Sequence, residues 1–148
     1  MRRGVRTGAV AVWLLALLAG SLPGRGAAAQ AAAGAPYIVD VQDVTAQVGQ
    51  HAVMHITLRL PQGYRVLEHY TNRVSRFSSL DGGVAFDDKV VPGRFEDGVL
   101  TFAVGVTPIA PGRHPINGVF RVGYIQGPDS MSMISVPLIA NVTGTDQR

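Results

Sequence analysis

Along this chain apolar and polar residues alternate in short runs. Met54, Ile56, Leu58 and Leu60 interleave with Val53, His55, Thr57 and Arg59, so an extended strand here has one apolar and one largely wet face, with His55 on the wet one. The same period places Leu100, Phe102, Val104 and Val106 on one face. It places Phe120, Val122 and Tyr124 together opposite Arg121 and Gly123, and sets Ile134, Val136, Leu138, Ala140 and Val142 in one row. The runs "YIVDVQDV", "HAVMHITLRL", "GVAFDDKVV", "GVLTFAVGV", "NGVFRVGYI" and "MISVPLIANV" are separated by "PQG", "DGG", "PGR", "EDG", "APG" and "QGPD". In these turns Gly supplies positive φ and Pro presets a corner. Strands at that spacing predict a β-sandwich. The stretch "RVLEHYTNRVSRFSSLDGG" is too polar for the pattern and reads as one short strand followed by a long loop, the kind of segment that carries function on such scaffolds.

The first residues follow a different logic. Arg2, Arg3 and Arg6 precede the apolar run Ala9 to Gly20 and the small residues of "SLPGRGAAAQA", the three-part layout of a secretory signal. The apolar run is well short of the ~20 residues a membrane-spanning helix needs. A leader over 1–31 is expected, cut after Ala29 or Ala31. Gly4 and Val5 follow the paired arginines, which favours general export over the twin-arginine route. A short flexible N-terminus over 32–36, one domain over 37–143 and a tail over 144–148 complete the expected organisation. The location is periplasmic or secreted, by bacterial export.

Leader removal changes the charge. Arg2, Arg3, Arg6 and Arg25 go with it, taking thirteen basic residues to nine against ten acidic, a formal charge of −1. The basic character of the precursor is thus no argument for nucleic acid, and the remaining arginines form no stripe along the sequence that could track phosphates. Taking 31 residues from 148 leaves 117, enough for one domain burying roughly two-thirds of its unfolded surface. The chain has no cysteine, so the usual staple of exported proteins is missing and packing alone must hold the core.

Two stretches carry a resemblance. "VQDVTAQVGQHAVMHITLRLPQGYRV" has an opening strand, a "VG" turn, an amphipathic strand and "PxGYxV"; "IAPGRHPINGVFRVGYI" has a "PG" turn and a strand ending near a Tyr. Together they resemble the N-terminal immunoglobulin-like domain of DsbD-type thiol:disulfide interchange proteins, over Val41 to roughly Val142. The resemblance implies an all-β, immunoglobulin-like antiparallel β-sandwich of about seven strands. That family carries redox cysteines in its late hairpin, where this chain has Tyr124, Ile125, Gln126 and Gly127, then Ser130 or Ser132. Thiol exchange needs a thiolate, so the resemblance implies the scaffold without its chemistry.

No "GxSxG", "HExxH" or phosphate-binding glycine loop is present, and Glu68 and His69, as neighbours, would point apart on a strand. Asp87 with Asp88, and Glu96 with Asp97, lack the spacing of a calcium loop. No enzyme activity and no cofactor are expected. The expected function is an exported binding or assembly module for a periplasmic or membrane-associated protein, with no transmembrane segment in the mature chain. Its contact candidates are Tyr124, Gln126, Asp129, Met131 and Met133 in the late hairpin. Pro137 places the last strand at an edge, where a partner strand can add. The alternative is a periplasmic copper carrier using the soft ligand set His51, His55, Met131 and Met133.

Overall fold

The computed structural model describes residues 27–30, 37–128 and 130–146. The expected leader and the 32–36 segment lie outside these residues, save for Ala27–Gln30. That stretch forms β1, antiparallel to β2 (Ile38–Gln42) from Ala27↔Gln42 to Gln30↔Val39. The described residues contain no helix, and none therefore long and apolar enough to cross a membrane.

Alternation dictates the strands. In β4 (Ala52–Arg59) Met54, Ile56 and Leu58 are buried while Val53, His55 and Arg59 are exposed. β10 (Val99–Pro108) runs antiparallel beside it, burying Leu100, Phe102, Val104 and Val106 in one row. With β2 on the far side of β4, and β7 (Val84–Phe86) and β9 (Arg94–Glu96) on the far side of β10, these form the first sheet. The second is built around a long hairpin of β11 (Gly112–Gln126) and β12 (Ser130–Thr145), paired without a register break from Gly112↔Gly144 to Gln126↔Ser130. β5 (Tyr64–Val66) and β6 (Arg73–Ser79) share the other side of β11, β8 (Val90–Pro92) lies beyond β6, and β3 (Val44–Gln47) runs parallel to the last residues of β12.

The two sheets close over one core, where the Phe102 ring meets the Phe120 ring at 5.3 Å between centroids and 59° between planes. The chain changes sheet repeatedly, first between β2 and β3, twice more around β4, on either side of β7 and β8, and last between β10 and β11. At the first crossing Asp43 accepts the Asn141 N–H at 3.0 Å. At the crossing between β8 and β9, Gly93 passes so close to the core that a Cβ there would come within 2.7 Å of the Phe102 ring.

The all-β sandwich expected from the alternation is present, and so are its inward rows. Three segments differ from expectation. "GVAFDDKVV" is two strands in different sheets, because the chain turns away after Phe86. The expected long loop after Val66 contains β6, a strand paired on both sides. Its period is broken by a bulge at Arg76, which has φ 57°, so that Val74 and Phe77 both join the core although three positions apart. Finally, β12 continues through Gly144 and Thr145, past the expected boundary at 143.

Truncating Phe102 or Phe120 to Ala should cost ~3–5 kcal/mol in denaturant unfolding. Replacing Arg59, on the wet face, should stay within about 0.5 kcal/mol of wild type. Equal damage from the two kinds of change would invert the assigned faces.

Candidate partner-contact surface

The hairpin of β11 and β12 sets the geometry. Ile125 opposes Met131, Gly123 opposes Met133 and Arg121 opposes Ser135, all on the outer face, because the intervening Phe120 and Val122 point into the core. Met131 is 70% exposed and Met133 55%. Gly123 leaves a dip in this face, which Tyr70 fills: a Cβ on Gly123 would lie within 2.8 Å of the Tyr70 ring. The Tyr70 hydroxyl donates to Met133 Sδ at 2.6 Å, and the Arg73 guanidinium stands 6.0 Å from the Tyr70 ring centroid.

Asn72 holds Tyr70 there. Only 6% exposed, it donates from Nδ2 to the Leu67 carbonyl at 3.1 Å and accepts the Gly123 N–H on Oδ1 at 2.9 Å, while its own carbonyl accepts the Gly93 N–H at 2.8 Å. The turn between β5 and β6 is thus fastened to β11 by this side chain together with the Leu67 N–H, which donates to the Gly123 carbonyl at 2.9 Å.

The structure brings Met131 and Met133 together and turns Tyr124 to the opposite face, where it packs against Tyr64 at 5.7 Å. Tyr70, not Tyr124, is the aromatic beside the methionines. Gln126 is exposed at the hairpin tip, and Asp129 lies outside the described residues. Sequence reasoning had no local signal for Tyr70 or Asn72, since Tyr70 bonds a residue 63 positions away and Asn72 one 51 positions away.

The outer edge of β12 is the second feature. Among the described residues β3 reaches it only from Val142 to Thr145, so no strand pairs with that edge from Ser130 to Leu138. The Asn141 N–H points away from β11 toward Asp43, and in an unbroken register Met131, Met133, Ser135 and Pro137 share that direction. Pro137, which has no N–H, therefore sits where the ladder with β11 loses nothing.

The four residues of the copper alternative are split between the sheets. His51 and His55 lie at or just before β4, with Met131 and Met133 on β12. Among the described residues no group of three His, Cys, Asp or Glu could hold a metal. His51 Nε2 is 2.7 Å from Asp87 Oδ2 on the surface, while His55 lines a shallow groove of about 680 Å³ with Asp88, Arg94, Glu96 and Thr101.

A second buried polar side chain lies elsewhere. His114, 6% exposed, places Nδ1 2.8 Å from Asp81 Oδ2 and Nε2 2.8 Å from the Ala110 carbonyl. The Ala110 carbonyl and an ionised Asp81 both accept, an arrangement that favours a proton on each ring nitrogen. The Asp81 contact, then the carbonyl, raises the His114 pKa against the opposing effect of burial. Asp81 is held well below the usual carboxylate range by His114, the Gly83 N–H and the Ser79 hydroxyl. This clamp ties the turn after β6 to the turn before β11. No family model matches the chain, and no curated protein does.

Two outcomes test this account. Asn72→Ala strands the buried Gly123 N–H and should cost about 1–3 kcal/mol, with faster hydrogen exchange at Gly123 and the turn from 67 to 71. The clamp predicts a pH profile: the His114 contribution is complete below its ordinary value of 6.5 and is lost as pH rises through its raised folded value. The Asp81 contribution is complete above 3.8 and is lost as acid reaches its depressed value. Wild-type Tm should therefore fall as the solution becomes alkaline, whereas His114→Gln should start lower and lack that decline; a wild-type Tm that rises with pH there would mean a neutral His114.

Proposed function

We propose that this chain is an exported, non-catalytic binding module that takes an extended segment of a periplasmic or membrane-associated protein along the outer edge of β12. One observation carries it: from Ser130 to Leu138 that edge is paired with no strand among the described residues and bears no charged side chain, and it adjoins the exposed Met131 and Met133. Edges are ordinarily guarded by charge, bulges or cover. Strand addition draws its strength from main-chain hydrogen bonds and its selectivity from alternate side chains. Methionine, unbranched and polarizable, adapts to differing apolar partners. The leader pattern supports export, and the DsbD-type resemblance, with serines where that family has thiols, supports a scaffold kept for contact and not for redox exchange.

Met131→Ser with Met133→Ser should leave folding stability within about 0.5 kcal/mol of wild type, since both side chains are exposed, while capture of the partner from a periplasmic extract falls. Ser135→Pro removes an N–H directed at the edge and should also weaken capture without unfolding the domain. Undiminished capture by both variants would defeat the proposal. A copper-dependent rise in Tm abolished by the methionine substitutions would replace it with metal carriage.

A further inference from the structure

Arg121 is far in sequence from Arg65 and Arg73, and the fold brings all three to one face. Arg121 and Arg73 are directly opposite on β11 and β6, and Arg65 on β5 is opposite Ile125. All three lie on the outer face of the second sheet, in the same rows as Ser135, Met131 and Ile125. None of them forms an ion pair among the described residues, where the Lys and Arg ion pairs reduce to Arg94 with Glu96. Strands β5, β6, β11 and β12 contain no acidic residue. Glu68, exposed in the turn after β5, forms no ion pair with them, and Asp129 lies outside the described residues.

Like charges directly opposite on adjacent strands repel, and a carboxylate placed between two guanidiniums relieves that repulsion with charge-assisted hydrogen bonds. We propose that this face recognises an acidic segment of a protein partner, with Arg65, Arg73 and Arg121 taking its carboxylates and Met131, Met133 and Ile125 its apolar residues. The inference rests on the binding-module proposal and adds the chemistry of the partner.

Protein is favoured over an anionic lipid surface on two grounds. Each basic residue strengthens binding to such a surface by about fivefold, and stable anchoring needs a second strong signal. Here the apolar side chains lie along a sheet face, with Tyr70 tied down by its bond to Met133. Tyr, Met and Arg together are also the residues enriched at protein interfaces.

The test is an NMR titration of the full mature chain with a synthetic peptide alternating Glu and Val. A Lys-for-Glu peptide and phosphatidylglycerol vesicles are run in parallel. The Glu peptide should shift the Nε–H signals of Arg65, Arg73 and Arg121 and the amides of Met131 and Met133, and bind more weakly as salt is raised. Arg73→Gln with Arg121→Gln, checked for a native amide spectrum, should weaken binding at least about tenfold. Equal binding of the Lys peptide, no binding of the Glu peptide, or binding of vesicles alone would each overturn the inference. The binding-module proposal fails separately, if the methionine and Ser135→Pro variants capture the extract partner as well as wild type does.

Discussion

The contact between Phe102 and Phe120 is what the remaining structure is arranged around. One ring comes from each sheet, and tilted aromatic pairs of this kind add to what their buried area already contributes. Keeping them dry requires close cover on every side. Gly93 supplies it where the chain changes sheets beside Phe102, and no larger residue fits that approach. With no cysteine in the chain, this dry contact and the buried rows around it take the place of a covalent staple.

A second constraint follows from the length of the hairpin. β11 and β12 stay in register over their whole paired length, so each inward residue on one fixes an outward neighbour on the other. Slipping by one position would send Phe120 and Leu138 into water. The same rigidity delivers Met131, Met133 and Ile125 to one outer patch, beside the turn that Asn72 fastens. Core and surface are thus two readouts of one ladder.

This explains what the amino-acid pattern could and could not disclose. Period-two alternation in β4, β10, β11 and β12 is local, and the inward rows there were legible residue by residue. β6 was not: the bulge at Arg76 moves Phe77 out of phase with Val74, and a polar-looking stretch hides a central strand. The crossings between sheets left no periodic signal either. At the candidate surface, the shared face of the methionines was legible from strand parity, and the edge position of Pro137 from its missing N–H. Tyr70, Asn72 and the three arginines were not, since their association depends on pairings between distant segments. The clamp between His114 and Asp81 spans 33 positions and belongs to the same class.

Pro137 has a consequence for the chain before it is folded. Before it folds the chain is extended, and in that state the uncharged run from Ser130 to Val142 offers a long template for stacking copies into cross-β fibrils. A proline in its middle denies such a stack one donor in every layer. In the native sheet the same residue costs no ladder bond, because its nitrogen faces away from β11. The position therefore leaves the native ladder whole while setting a break inside the one long uncharged run that could stack with copies of itself.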